Sequence, residues 1–153
     1  MQGRAVIAVS AVVLLVAVGA VSLVAQAASA PGGKREGKAR QFVGYWMGID
    51  PLDGGDSRRG LTRNPNGTFA LIGRDTVFTL CDGSDRAIVS AELRLAGSRL
   101  VSDDFLIECT NGGSEVRLRA RYSVLDRGII RETLTTQAGE PVDEIIFHRV
   151  SER

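Results

Sequence analysis

Three aspartates at three-residue intervals, Asp50, Asp53 and Asp56, are close enough in sequence to do chemistry together. Neighbouring carboxylates could bind a cation, but a calcium loop of the EF-hand type needs ligands at alternating positions and a final bidentate glutamate. The segment "DPLDGGD" lacks that pattern, and Asp before Pro, followed by Asp-Gly-Gly, is typical of turns. We therefore predict that the aspartates shape a loop, and we expect neither a metal nor a cofactor.

The single histidine, His148, is the other residue whose type would suit catalysis. A catalytic histidine needs a nucleophile or an acid within hydrogen-bond reach. The sequence places neither beside it, and it contains no G-x-S-x-G motif and no glycine-rich phosphate loop. We predict no catalytic residues and no enzymatic activity.

The two cysteines, Cys81 and Cys109, predict a disulfide, since an even pair in an oxidising compartment is usually bonded. A metal site is the weaker alternative, because there is one histidine and no C-x-x-C motif.

The N-terminus has the pattern of a secretory signal peptide: Arg4, a long apolar stretch from Ala5 to Ala25, and a small-residue end. Cleavage is predicted after Ala27, which gives a signal peptide of residues 1–27. The alternative is an uncleaved membrane anchor, because about 20 apolar residues can span a bilayer. In either case the rest of the chain lies outside the cytoplasm, in the periplasm or secreted.

The charge distribution divides the remaining chain into a basic spacer and a mildly acidic domain. Residues 28–40 include "GKREGKAR" and are predicted to be a flexible spacer. From Gln41 onward there are 14 arginines, no lysine and 17 acidic residues, a net charge of −3. This excludes general affinity for nucleic acid, which needs a basic face. Membrane contact is expected only through the leader or the spacer, and we expect a monomer.

From residue 41 to residue 150, turn signals separate short runs rich in Val, Ile, Leu, Thr and aromatic residues. This spacing predicts an all-β domain of antiparallel strands, a barrel or a sandwich.

One hairpin allows a register prediction. In "SEVRLRARYSV", Leu118 and Tyr122 share one face, and the arginines share the other. A two-residue turn at Gly112-Gly113 would place these strands in one register. It pairs Glu108 with Arg117, Asp104 with Arg121, Ile107 with Leu118, and Phe105 with Ala120. The arginines are then a solvated face; the alternative, in which they line the interior and hold an anion, would turn the apolar residues to water.

Glu132, in "GIIRETLTT", is the residue whose direction the pattern leaves open. If residues 125–128 form a tight turn, Glu132 faces Arg121 on the outside, and this is the prediction we favour. A bulge at Gly128 would instead bury Glu132, and a buried carboxylate would be a ligand or functional group.

A Gly-x-Trp at the start of the first strand, here Gly44 and Trp46, followed only by antiparallel strands, resembles the lipocalin-like (calycin) barrels. The opening "FVGYWMGIDPLDGG" is also similar to that of small exported bacterial domains, which implies no particular function. The family resemblance implies an up-and-down barrel of about eight strands over residues 41–150. It also implies that Trp46 closes one end of the barrel and packs against an arginine near the last strand, here Arg149.

Two functions remain open for such a barrel. Eight strands enclose room for side chains or for one small ligand. The first hypothesis is binding of an apolar or amphipathic small molecule, with interior candidates Phe105, Ile107, Leu118, Tyr122 and Glu132. The second is a side-chain-filled barrel that acts as a protein-interaction or envelope-associated module through the loops at 50–60 and 81–86.

Overall fold

The computed structural model describes residues 37–77, 79–81, 86–110 and 115–150. The predicted signal peptide or anchor lies outside these ranges, as do most of the predicted spacer, residues 82–85 of the predicted contact loop at 81–86, and the Gly112-Gly113 turn. None of the helical segments within the ranges has the length and hydropathy that a membrane span requires.

The domain is an all-β, up-and-down barrel of eight antiparallel strands, as predicted. The eight antiparallel strands are β1 (Gly44–Ile49), β2 (Asp56–Arg63), β3 (Phe69–Asp75), β4 (Ala87–Ala96), β5 (Arg99–Cys109), β6 (Glu115–Asp126), β7 (Ile129–Thr135) and β8 (Pro141–Arg149). Each strand pairs with the next in sequence, and β1 pairs with β8, which closes the barrel and excludes a sandwich. Closure leaves no free sheet edge.

The predicted register of the β5–β6 hairpin is wrong by two residues. Phe105 pairs with Leu118 and Ile107 with Val116, while Glu108 lies opposite Glu115. A shift of two keeps every side chain on its predicted face, because the side-chain period of a strand is two. The arginines of β6 are accordingly exposed, and Leu118 and Tyr122 are buried.

A bulge in the β6–β7 hairpin overturns the favoured outward placement of Glu132. The extra residue is Leu125, between the pairs Val124–Ile130 and Asp126–Ile129, and not Gly128. Because it shifts β6 by one residue relative to β7, the inward Tyr122 pairs directly with Glu132. Glu132 is therefore fully buried.

The barrel end at the start of β1 is closed by aromatic side chains. Trp46 is buried and donates its indole N–H to the carbonyl of Phe42 at 2.8 Å. The Arg149 guanidinium lies over the indole ring, 4.4 Å from its centroid, and donates to the carbonyls of Gln41 and Val43, each at 2.6 Å. Gly44 leaves room for it, since a Cβ there would lie 2.8 Å from Arg149 Nη1.

Residues 37–40, which the sequence analysis placed in a flexible spacer, are helical in the structure. Ala39 packs into the core, and its carbonyl accepts a hydrogen bond from the amide of Phe42. Burial of this small apolar side chain explains why the end of the spacer is ordered against the barrel.

The opposite end of the barrel, which we call the mouth, carries the predicted disulfide. Cys81 and Cys109 are bonded, with their Cα atoms 5.5 Å apart. Cys81 ends a short 3-10 helix, Thr79–Cys81, and Cys109 ends β5. The bond therefore attaches the segment after β3 to the rim of the mouth.

Candidate functional site

A buried charged network at the centre of the barrel is the main candidate site. Arg59 donates from Nε and Nη2 to the two oxygens of Glu132, both at 2.9 Å. It also donates from Nη1 and Nη2 to the two oxygens of Asp75, at 2.7 and 3.2 Å. The hydroxyl of Tyr122 donates to Glu132 Oε2. These four residues, hereafter the central network, are each no more than 1% exposed.

The electrostatics of the central network keep Arg59 and Tyr122 protonated. Burial alone would lower the pKa of Arg59, but the charges of Glu132 and Asp75 hold that pKa well above its ordinary value. Burial, followed by the charge of Glu132, raises the pKa of Tyr122 well above its ordinary value, so the phenol stays protonated and donates. One guanidinium thus faces two carboxylates, and the network carries one surplus negative charge when both are ionised.

Strand packing makes room for this arrangement. Gly73 on β3 lies opposite Arg59, and a Cβ there would come within 2.8 Å of Arg59 Cδ and 2.7 Å of Val89 Cγ2. The guanidinium also lies between two aromatic rings, 5.1 Å from the centroid of Phe147 and 5.9 Å from that of Phe105. Contacts between a cation and aromatic faces offset part of the cost of burying the charge.

All five interior candidates from the sequence point into the barrel and are at most 3% exposed: Phe105, Ile107, Leu118, Tyr122 and Glu132. Tyr122 and Glu132 meet in the central network, and Phe105 flanks it, whereas Ile107 and Leu118 belong to the apolar core around it. Their role in ligand binding stays a prediction.

Sequence analysis missed Arg59 and Asp75. The signal was present in "DSRRGLTR", where Ser57, Arg59 and Leu61 alternate and are all buried. Because Arg59 lies on the same face of the strand as the apolar Leu61, the alternation predicts a buried arginine. That prediction also requires acidic partners elsewhere in the sequence. Those partners lie 16 and 73 residues away in sequence.

The rim of the mouth adds two more carboxyl groups, Asp50 and Asp143. Asp50 is buried and accepts a hydrogen bond from the amide of Leu52 at 2.7 Å, and Asp53 accepts one from Gly55 at 2.8 Å. These contacts support the predicted turn-forming role of the aspartates. Among the residues that the structure describes, no group of His, Cys, Asp and Glu is arranged to hold a metal ion.

Asp143 is expected to make stability depend on pH. Burial, and next the charge of Asp50, raise the pKa of its carboxyl from 3.8 to about 6. The folded state binds this proton more tightly than the unfolded state does. The protonated carboxyl of Asp143 therefore contributes fully to the free energy of unfolding below about pH 4, and this contribution is lost as the pH rises through 6. Relative to wild type, Asp143→Asn should therefore gain stability between pH 4 and 6 and keep that gain above 6.

Since Asp143 is only half-buried, solvent screening should keep this gain below about 1 kcal/mol. Urea unfolding of both proteins at four pH values from 4 to 7 measures it. A difference that is independent of pH would contradict the assignment.

The arginine face of β6 is solvated, as expected, but neither predicted charge pair forms, since Asp104, the predicted partner of Arg121, binds Arg117 instead. Arg117 donates to Asp104 at 2.6 Å and lies 3.6 Å from Glu115, instead of the predicted Glu108. Arg94 pairs with Asp103 at 3.1 Å. Exposed pairs of this kind contribute little to stability.

Comparison with known proteins gives a fold likeness only. No family model matches the sequence, and no curated protein matches it. Among solved structures the chain is similar to a point mutant of the fluorescent protein UnaG, with a TM-score of 0.45 and 16% identity over 74% of this chain and 99% of that chain. The fold assignment rests on the strand order of the barrel itself.

Proposed function

We propose that this protein is an exported barrel that binds an apolar or amphipathic small molecule at its mouth. The observation that carries the proposal is the central network, which buries one cation and two anions inside a small domain. Replacing a buried ionic cluster by apolar side chains is often neutral or stabilising, so stability alone does not account for it. Binding sites typically combine an apolar lining with a few well-placed polar groups.

The hydrogen bonding of the network indicates which polar group a ligand would carry. All five N–H donors of Arg59 are used, by Glu132, by Asp75 and by the carbonyl of Arg58. A ligand carboxylate would have to displace an internal one. The carboxylates retain unused acceptor capacity, since each offers about four lone-pair sites. With the surplus negative charge, this favours a donor-rich or cationic head group, such as an amine.

The proposed position of such a group is at the mouth, beside Asp75 and Ser57. Asp75 and Ser57 are cross-strand neighbours, both buried, at the mouth ends of β3 and β2. The hydroxyl of Ser57 has no hydrogen-bond partner among the described residues. A cationic head group would meet these two residues first, and the apolar body would pack on Ile107 and Leu118.

The extracytoplasmic location belongs to the same proposal. A disulfide between Cys81 and Cys109 is consistent with an oxidising compartment. The apolar leader and its small-residue end are the sequence features that support export.

Calorimetric titration with decylamine and with decanoate tests the proposed ligand class. Decylamine should bind at least about ten-fold more tightly, since loss of one favourable charge contact is worth about 1.4 kcal/mol or more. Leu118→Ala should change decylamine affinity by several-fold, whereas Leu125→Ala, on the exposed bulge, should not. Equal affinity for both amphiphiles would contradict the proposed head group, and absence of binding would contradict the function.

A second candidate is a side-chain-filled barrel that acts through its outer surface. The observation in its favour is an exposed apolar face on β1 and β3, where Tyr45, Ile49 and Ile72 are 60–69% exposed. Leu52, in the predicted contact loop, is equally exposed, and Arg58 and Arg74 lie side by side within this face. A protein partner with apolar and acidic side chains would suit this face.

If the exposed face binds such a partner, Ile72→Arg should abolish partner binding and leave decylamine affinity unchanged.

A further inference from the structure

A groove on the outside of the barrel, bounded by the turn between β7 and β8, has the features of a second binding site. It has a volume of about 530 Å³, within the range of small-molecule sites. Its lining is largely polar and combines guanidinium, hydroxyl and carboxylate groups. The residues that line it include Arg94, Asp103, Arg119, Arg121, Thr133 and Thr135.

Two irregularities of the sheet build this groove. A bulge in β5 sets two residues, Asp103 and Asp104, opposite the single Arg119 of β6. On the other side, the turn between β7 and β8 reaches back to the bulge, where Gln137 Nε2 donates to the carbonyl of Asp103 at 3.1 Å. Bulges often occur next to functional sites, because they redirect side chains and interrupt pairing.

The turn that bounds the groove is held by its own hydrogen bonds. The amide of Thr136 donates to the carbonyl of Glu140 at 2.8 Å, and the amide of Gly139 donates to the carbonyl of Thr136 at 3.0 Å. The amide of Glu140 also donates to the hydroxyl of Thr136 at 3.1 Å. This wall is therefore preorganised, and a ligand would not have to order it.

The arginines of this face differ in whether their charge is neutralised. Arg94, Arg117 and Arg131 each form an ion pair with an acidic side chain. Arg119 and Arg121, which line the groove, form none with the described part of the chain. Two uncompensated guanidinium groups, two residues apart on one strand, give a local positive charge on a domain whose net charge is −3.

Hydroxyl groups lie directly beside these cations. Thr133 pairs with Arg121 across the β6–β7 ladder, and Thr135 pairs with Arg119. Arginine donors bind carboxylate and phosphate oxygens, often in bidentate geometry. Threonine hydroxyls and the Asp103 carboxylate can exchange hydrogen bonds with ligand hydroxyls.

We propose that this groove binds an anionic saccharide, a sugar that carries a carboxylate or phosphate group. Arg119 and Arg121 hold the anionic group, and Thr133, Thr135 and Asp103 bind the sugar hydroxyls. The site is independent of the central network, which faces the barrel interior, so either proposal can fail without the other.

Amide-resolved NMR titration with glucose 6-phosphate tests the site, with glucose and inorganic phosphate as comparison ligands. Saturable shifts are expected at Thr133 and Thr135. Glucose 6-phosphate should bind at least about five-fold more tightly than either comparison ligand, because only it uses both kinds of contact. Arg119→Gln with Arg121→Gln should weaken it at least about ten-fold.

The matched control removes the same charge elsewhere. Arg58 and Arg74 are exposed on the opposite side of the barrel and also form no ion pair within the described ranges. Arg58→Gln with Arg74→Gln should leave the affinity within about two-fold of wild type. The proposal is overturned if this pair weakens binding as strongly, if inorganic phosphate binds as well as the sugar phosphate, or if no saturable shift occurs in the groove.

Discussion

Replacing Arg59 with methionine is expected to lower the free energy of unfolding by about 3–5 kcal/mol, the largest effect of any single substitution discussed. Asp75 and Glu132 would then be buried without a cation, and the four hydrogen bonds that Arg59 donates to them would be lost. A small domain has about 5–15 kcal/mol of stability in total, so the loss is a large part of it. Urea unfolding at neutral pH measures the change.

Two controls separate the uncompensated charge from a general effect of substitution. Arg58→Met, at the neighbouring exposed position, should change stability by about 0.5 kcal/mol or less. Arg59→Met combined with Asp75→Leu and Glu132→Met removes the whole ionic cluster. It should recover most of the loss, since apolar replacement of an entire cluster is often neutral or stabilising. A single Arg59→Met variant as stable as wild type would contradict the central network.

Removing the disulfide by Cys81→Ala with Cys109→Ala should cost about 3.6 kcal/mol. The two cysteines are 28 residues apart in sequence. In the chain-entropy model, a bond that closes a loop of about 29 residues lowers the conformational entropy of the unfolded chain. At 25 °C this loss of entropy corresponds to about 3.6 kcal/mol of stabilisation. The midpoint of urea unfolding should fall accordingly, while the strands of the barrel still form.

Reduction provides an independent measurement of the same quantity. Dithiothreitol should lower the stability of wild type by a similar amount and leave the double alanine variant unchanged. If reduced and oxidised wild type unfold at the same urea concentration, the bond does not constrain the unfolded chain as proposed.

The fold was predictable because short runs rich in Val, Ile, Leu, Thr and aromatic residues, separated by turn signals, recur from residue 41 to residue 150. Trp46 and Arg149 were also identified before the structure, and their contact at 4.4 Å is the one that the family resemblance implies. The disulfide followed from the cysteine count together with the predicted oxidising compartment. These features depend on local pattern or on residues that are few in the sequence.

The register of the β5–β6 hairpin was not predictable from the same pattern. A shift by two residues leaves each side chain on its face, so apolar periodicity does not distinguish the two registers. Charge pairing favoured the wrong register, because the observed one sets Glu108 opposite Glu115 and leaves Arg121 without an ion pair among the described residues, while Arg117 binds Asp104. Where an irregularity adds one residue, as at Leu125, the effect is larger, and it moved Glu132 from the predicted outside to the interior.

The central network required tertiary information. Arginine is almost never fully buried unless it is paired, so Arg59 was a surface residue by default. Its partners come from β3 and β7, and only closure of the barrel brings them together. A search for strands with a charged residue among their inward positions would have found both Arg59 and Glu132.

Native mass spectrometry of the protein, purified gently from its own host, tests the proposed small-molecule function most directly. We predict a mass a few hundred daltons above that of the disulfide-bonded polypeptide, lost on denaturation, from a molecule that carries an amine or another donor-rich group. A bare polypeptide mass, together with failure of decylamine to bind the same preparation, would contradict the account and favour a barrel that acts through its outer surface.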